Sequence, residues 1–183
     1  MEVQILDQNG EKVVVIEGRV DTVTASDLEM KVSPIWATPA ITLVFDCEKL
    51  EYLSSSGLRI ILSAHKQVTA KGGKFILRHL NREVRSVIDL TGFSRILTIE
   101  GRVDTVTASD LEMKVSPIWG TPAITMVFDC EKLEYLSSSG LRIILSAHKQ
   151  VTAKGGKFIL RHLNREVRSV IDLTGFSRIL TIE

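Results

Sequence analysis

Hydrophobic and polar residues in the first part of the chain follow a pattern that predicts short buried strands separated by helices. Continuous apolar runs, typical of strands covered on both faces, occur at Lys12–Arg19, Ala40–Asp46 and Lys74–Leu80. Val3–Asp7 alternates more weakly and leads into an Asn-Gly pair, which indicates a hairpin turn. A final apolar strand is predicted over Arg95–Glu100.

Three helices are predicted between these strands. Ser26 and Glu29 have the spacing of a capping box and mark the start of the first. Apolar residues recur at helical spacing from Leu58 to Val68, and a Gly-Gly pair ends that helix. Asn81 is the predicted cap of the third. The order ββαβαβαβ predicts an α/β fold with an open, mostly parallel sheet and right-handed crossovers.

The chain then repeats itself. Residues 17–99 recur as 100–182, an offset of 83, with Gly120 in place of Ala37 and Met126 in place of Leu43. A repeat of this length has the size of a small domain and not of a solenoid unit. We therefore predict two α/β units, residues 1–95 and 96–183. Residues 1–16 have no counterpart in the second unit, which is expected to lack its first strand.

The segment that joins the units, residues 95–103 (the seam), is required by both. Ile96–Glu100 would be the last strand of unit 1, and it also takes the place that Val13–Glu17 fills in unit 1. We expect unit 2 to take the seam, because an interior strand buries more apolar surface than an edge strand. Unit 1 would then have an open edge, and strand exchange at the seam would produce a homo-oligomer.

Charge, cysteine content and the length of apolar runs argue against several classes of protein. The net charge of +1, with acidic and basic residues well mixed, argues against a nucleic-acid-binding face. One cysteine in each unit cannot form an internal disulfide, which favours a reducing compartment. The charged start and the absence of a long apolar run argue against a signal peptide and a membrane span. We expect a cytoplasmic protein without cofactors or metal ions.

Candidate chemistry is concentrated in a serine loop that precedes the second helix of each unit. The loop reads Tyr-Leu-Ser-Ser-Ser-Gly-Leu, and the carboxyl ends of strands are where open α/β sheets place functional groups. One serine could simply cap the helix. Three exceed what a cap requires, and the glycine would leave the backbone open to a close-approaching partner. The candidate residues are Ser54, Ser55, Ser56 and Gly57, and in unit 2 Ser137, Ser138, Ser139 and Gly140.

Several motifs together resemble the STAS domain, and within it the bacterial anti-sigma-factor antagonists. They are Gly18–Asp21, Val44–Asp46, Ser54–Leu58 and Ile88–Ile96, and the resemblance spans both units. It implies a module that binds an anti-sigma factor, which is also a serine kinase, and so releases a sigma factor. The match to the family's Asp-Ser-Ser/Thr-Gly-Leu motif implies phosphorylation at Ser55.

The same match implies a second phosphorylation site at Ser138. Ser54 and Ser137 replace the usual Asp of the motif, so a fixed charge beside the hydroxyl is lost. The resemblance also makes Asp21 and Asp104 part of the partner surface, although a loop or capping carboxylate is an equally good interpretation. A phosphate at a helix N-terminus meets free N–H groups, so the switch is expected to act at the interface and not on the fold.

Two other interpretations stay open. One is an enzyme that uses a serine nucleophile or binds a nucleotide, but no activating base, nucleophile elbow or phosphate loop supports it. We therefore expect a protein without enzymatic activity. The other is an engineered or selected tandem duplication whose function is incidental, which the near-identity of the two copies permits.

Overall fold

The computed structural model describes residues Met1–Glu183 and divides them into two compact units, Met1–Glu100 and Gly101–Glu183. The strands of unit 1 are β1 (Glu2–Gln8), β2 (Glu11–Val20), β3 (Thr42–Asp46), β4 (Leu50–Leu53), β5 (Lys74–Arg78) and β6 (Thr98–Ile99). Its helices are α1 (Ala25–Val32), α2 (Ser55–Ala70) and α3 (Arg82–Leu90), with short 3₁₀ turns at Ile35–Ala37 and Phe93–Arg95.

The sheet of unit 1 has the strand order β1-β2-β3-β5-β6, and β4 pairs with the second half of β2. Only β1 and β2 are antiparallel, joined by a tight turn in which Asn9 and Gly10 both have positive φ. The other pairs are parallel, as the apolar strand runs predicted. The α/β class with a mostly parallel sheet is thus confirmed.

Two local predictions were wrong. The sequence pattern predicts no strand between β3 and α2, whereas Leu50–Leu53 form β4. The first helix does not begin with a capping box, because α1 starts at Ala25 with Thr24 as its N-cap residue. Ser26 lies inside the first turn and donates a weak hydrogen bond to the carbonyl of Val23 at 3.4 Å. The end of β2 and its following turn, not a Ser–Glu pair, therefore set where this helix begins.

Unit 2 repeats most of this arrangement. Its strands are β7 (Arg102–Val103), β8 (Thr125–Asp129), β9 (Tyr135–Leu136), β10 (Lys157–Arg161) and β11 (Thr181–Ile182). Its helices are α4 (Ala108–Trp119), α5 (Ser138–Ala153) and α6 (Arg165–Leu173), with a 3₁₀ turn at Phe176–Arg178. The strands form a three-stranded sheet in the order β11-β10-β8 and a separate pair, β7-β9. None of the helices of the chain combines the length and apolar character needed to cross a membrane.

The predicted absence of the first strand from unit 2 is confirmed, and more is absent than that strand. Nothing in unit 2 corresponds to β1 or to the first half of β2, so β8 ends its sheet where the equivalent β3 is interior. The main apolar core falls from 25 buried residues in unit 1 to 12 in unit 2. Sequence identity therefore does not give the two units equal cores.

The expectation that unit 2 takes the seam was wrong. Thr98 and Ile99 pair with β5 in parallel, and the N–H of Glu100 donates to the carbonyl of Leu77 at 2.8 Å. Leu97 and Ile99 are fully buried in the core of unit 1. This strand lies at the edge of its sheet, yet it buries two large side chains, which explains why unit 1 keeps it. Unit 1 therefore has no open edge at β5.

Candidate functional site

The serine loop of unit 1 lies beside the end of β2 because β4 pairs with that end. Arg19 is opposite Tyr52 and Val20 is opposite Leu53 in the parallel register. The pairing continues as a hydrogen bond of 2.8 Å from the N–H of Ser54 to the carbonyl of Val20. Asp21 follows Val20 directly, so the structure brings the candidate carboxylate and the candidate serines to one edge of the unit.

The three serines of the loop have different roles in the helix start. Ser54 is the N-cap residue of α2, and its hydroxyl accepts a hydrogen bond of 3.2 Å from the N–H of Gly57. Ser55 is the first helical residue and is exposed, whereas Ser56 is half-buried. The sequence alone could not tell which of the three serines caps the helix. The structure assigns this role to Ser54. Ser55 is left at the surface, beside the N–H groups that begin the helix.

A matched pair of variants separates these roles. We expect Ser54→Ala to reduce the free energy of unfolding by about 1 kcal/mol, because an N–H of the first turn loses its acceptor. Ser55→Ala should change it by less than about 0.5 kcal/mol, the usual range for an exposed surface position. Urea unfolding of both variants measures this, and equal losses would contradict the assignment of the cap to Ser54.

Unit 2 has the same geometry at its own serine loop. Ser137 is the N-cap residue of α5 and accepts from the N–H of Gly140 at 3.2 Å. Its hydroxyl also lies 3.1 Å from the carbonyl of Val103, to which it donates. Ser138 is exposed and Ser139 is half-buried. Both units therefore present one exposed serine at the first position of a 16-residue helix.

Gly57 was expected to leave the backbone open to a partner, and the structure gives a different reason for this glycine. The residue is buried, and a Cβ added to it would lie 2.6 Å from a methyl carbon of Val20 and 2.7 Å from one of Leu53. The close approach is made by side chains of the same unit. Gly140 is equally restricted, with the carbonyl oxygen of Val103 at 2.5 Å from such a Cβ.

Asp21 orders the turn between β2 and α1. Its carboxylate accepts hydrogen bonds of 3.0 Å from the backbone N–H groups of Val23 and Thr24. The bond from Thr24 is the main reason that the pKa of this carboxyl is held below its usual value. The group is therefore a turn-capping carboxylate, and its half-buried position still leaves part of it at the surface.

Asp104 repeats the turn contacts of Asp21 in unit 2 but is more enclosed. It accepts from the N–H of Val106 at 3.0 Å and is ion-paired with the Nε of Arg102 at 3.0 Å. Both members of the pair are buried, with 6% of Asp104 and 8% of Arg102 exposed. This makes Asp104 a weaker candidate for direct partner contact than Asp21.

An arginine–tyrosine pair next to each serine loop was not anticipated from the sequence. The guanidinium carbon of Arg19 lies 4.3 Å from the ring centre of Tyr52, and that of Arg102 lies 4.0 Å from the ring centre of Tyr135. These are cation–π distances, and both rings are 40% exposed. The pairing of β4 with β2 places Arg19 opposite Tyr52, and the sequence pattern carries no signal for that pairing.

A second polar group lies at the ends of β3 and β5. Nδ1 of His79 is 3.1 Å from a carboxylate oxygen of Asp46, and Glu48 is close enough to bring ligand atoms of all three within 4.8 Å of one another. Asp46 is half-buried and the other two are exposed. Asp46 accepts a hydrogen bond of 3.1 Å from the backbone N–H of Glu48, in addition to its contact with His79. These two contacts explain why the three residues lie together, so we interpret the group as structural.

Neither cysteine has the properties of a nucleophile. Both are free and buried. Burial raises the pKa of the Cys47 thiol to about 12 and that of Cys130 to about 11, so both are neutral at physiological pH.

The STAS domain family profile matches residues 2–100 and again residues 95–183. The chain belongs to the STAS domain family, in two copies. The two matches overlap at residues 95–100, the part of the seam that both units require. The expected resemblance to STAS domains is thereby confirmed over residues 2–183.

Relatives of this STAS protein carry consistent names. A Bordetella bronchiseptica protein named as an anti-sigma factor antagonist, BtrV, is 31% identical over 87 residues, which are 48% of this chain and 75% of BtrV. The anti-sigma F factor antagonist of Paenibacillus polymyxa is 25% identical over 100 residues, 54% of this chain and 86% of the relative. The crystal structure of an anti-sigma factor antagonist from Mycobacterium paratuberculosis has 29% identity and a TM-score of 0.50, covering 54% of this chain and 83% of that one.

Proposed function

We propose that this chain is an anti-sigma-factor antagonist with two binding units, each controlled by phosphorylation of one serine. Its partner would be an anti-sigma factor that also acts as a serine kinase, and binding would free a sigma factor in the cytoplasm. The observation that carries the proposal is the exposed serine at the first position of α2 and α5, beside a cap that another serine already supplies. The names of the relatives support the kind of partner.

The fold is well suited to tolerate a phosphate at Ser55. The first N–H groups of a helix have no partner within the helix, and the positive end of the helix dipole favours a dianion. Arg59 is exposed and lies four residues further along α2, on the same helix face as Ser55. Arg142 stands in the same relation to Ser138.

Loss of partner binding must therefore arise in the complex. A phosphate of about −2 charge would have to lose water in a protein interface, or would face carboxylates of the partner. Desolvating an unpaired charge costs far more than one interface hydrogen bond contributes. The surface around Ser55, with Tyr52, Arg19 and Asp21, is the region where we place the partner.

The two units together predict a stoichiometry of two. Titration of the chain with a purified anti-sigma factor should saturate at two partners per chain, because both serine loops have the same geometry. The single variants Ser55→Asp and Ser138→Asp should each reduce the stoichiometry to one. Isothermal titration calorimetry measures both numbers. No binding to any anti-sigma factor would overturn the proposed function, and one partner per chain would restrict it to one unit.

The alternative of an enzyme with a serine nucleophile has less support. The contacts of the serine loop are those of a helix cap, with Ser54 accepting from the backbone of Gly57. The sequence offers no base to activate Ser55 and no glycine-rich phosphate loop in the required order. We propose a binding protein without catalytic activity.

A further inference from the structure

Strand β8 of unit 2 has an unpaired backbone edge. In unit 1 the equivalent strand β3 lies between β5 and β2, and β2 pairs with it from Lys12 to Val15. In unit 2 β8 pairs with β10 alone and is the last strand of its sheet. A row of backbone N–H and C=O groups is thus available along Thr125–Asp129, the arrangement that an added strand recognises.

The side chains along this edge are more exposed to solvent than their counterparts in unit 1. Val44 of β3 is fully buried, whereas its counterpart Val127 is 41% exposed. Phe45 is fully buried, and its counterpart Phe128 is half-buried. Since the two strands differ in sequence at only one position, Leu43 against Met126, the missing neighbour is the cause.

An apolar cavity lies next to the edge. It has a volume of about 370 Å³ and is lined by residues of unit 2 alone, among them Leu111, Val115, Met126 and Phe128. In unit 1 Leu28 and Val32, the counterparts of Leu111 and Val115, are fully buried in the same core cluster as Val14 and Ile16 of β2. The cavity therefore marks the volume that the apolar side chains of a strand fill in unit 1.

The chain does not carry a spare strand for this place. Two complete units would need four strand segments, namely two copies of the first half of β2 and two closing strands. The sequence contains three such segments: Glu11–Ile16, the seam and the C-terminal Ile179–Glu183. Each of the three is engaged, in β2, β6 and β11 respectively. Residues 1–183 therefore leave no free strand for the β8 edge unless one of these pairings is given up.

We propose that the β8 edge pairs with the β8 edge of a second copy of this chain, antiparallel and centred on Val127. Every copy of the chain has the same unpaired β8 edge. A two-fold axis through Val127 pairs the two edges in a closed dimer, and neither copy has to give up a strand. This register places Met126 opposite Phe128 and Thr125 opposite Asp129, so that apolar residues meet and no like charges do. The two three-stranded sheets would become one sheet of six strands.

Cross-linking tests the register. Two cysteines at position 127 would be direct neighbours across the antiparallel pair, within the distance that a disulfide requires. Mild oxidation of Val127→Cys should give a covalent dimer on a non-reducing gel. The matched control is Val23→Cys, which is 84% exposed in unit 1 and should stay monomeric under the same conditions. The two native cysteines are buried and should not contribute.

Sedimentation velocity of the intact chain tests the dimer itself. We expect a dimer whose population increases with protein concentration. Val127→Lys should raise the dissociation constant of this dimer at least tenfold, whereas Val23→Lys should leave the constant unchanged. Circular dichroism confirms that each variant is folded. A monomer at all concentrations, or a dimer that Val127→Lys does not weaken, would overturn the proposal. A dimer that Val127→Lys does not weaken would have to form through another strand edge or through exchange of the seam strand between copies. Neither readout involves an anti-sigma factor, so the test is independent of the proposed function.

Discussion

Replacing both exposed serines by aspartate, Ser55→Asp with Ser138→Asp in one chain, is expected to abolish binding of the anti-sigma factor while the fold stays intact. We expect at least a hundredfold loss of affinity, because an unpaired charge in an interface costs about 3 kcal/mol or more. The free energy of unfolding should change by less than about 1 kcal/mol, since a negative group at a helix start complements the dipole.

Calorimetric titration and urea unfolding of the same protein measure the two quantities. The matched control is Ser55→Asn with Ser138→Asn, which has almost the same shape as aspartate without its charge and should retain most of the affinity. A large loss of stability with binding intact would contradict the assignment of the switch to the interface. Equal losses of affinity in both double variants would make the effect steric and not electrostatic.

Gly57→Ala is expected to cause the largest loss of stability of any single methyl addition at the serine loop of unit 1. The new Cβ would lie 2.6 Å from Val20 and 2.7 Å from Leu53, closer than carbon atoms can approach. The start of α2 would have to move away from β2 and β4, and overpacking of this kind costs about 1–3 kcal/mol. Because the same movement displaces Ser55, affinity for the partner should fall as well.

Gly120→Ala is the matched control for Gly57→Ala. Gly120 has negative φ and open space around its Cα, and unit 1 already has alanine at the equivalent position, Ala37. This variant should be neutral or slightly stabilising, since it reduces the entropy of the unfolded chain. Denaturant unfolding followed separately for each unit measures both variants, and equal effects would show that the space around Gly57 is not limiting.

The sequence was sufficient to predict the elements with long, continuous patterns. The apolar runs of β2, β3 and β5, the Asn-Gly hairpin and the capped helix α3 all lie where they were expected. Such patterns are local, and residues within one run determine them. The serine loop could be recognised for the same reason, because its residues are contiguous.

The missed strand β4 explains what sequence reasoning could not supply about the site. It has four residues, of which only the outer two, Leu50 and Leu53, are buried, so its pattern resembles a loop. Its identity as a strand depends on pairing with β2, which is distant in sequence. The Arg19–Tyr52 contact follows from that pairing, and so it could not be predicted. The resemblance to the family implied that Asp21 belongs to the partner surface, and the same pairing explains why Asp21 lies near Ser54.

The seam shows a different limit. Apolar area alone favours unit 2, because an interior strand buries more apolar surface than an edge strand. Unit 1 keeps the segment through contacts that this comparison left out, including full burial of Leu97 and an ion pair between Arg78 and Glu100. Which of two nearly equal places a strand takes depends on such tertiary contacts, and they become visible only in the folded chain.

Phosphorylation itself provides the most direct test of the account. The chain would be incubated with ATP and a cognate anti-sigma factor kinase, analysed by mass spectrometry, and then titrated with fresh anti-sigma factor. We predict two phosphates per chain, at Ser55 and Ser138, and loss of the two binding events that the unmodified chain shows. Phosphorylation at other residues, or unchanged binding by the doubly phosphorylated chain, would contradict the central claim that these two exposed serines control partner binding.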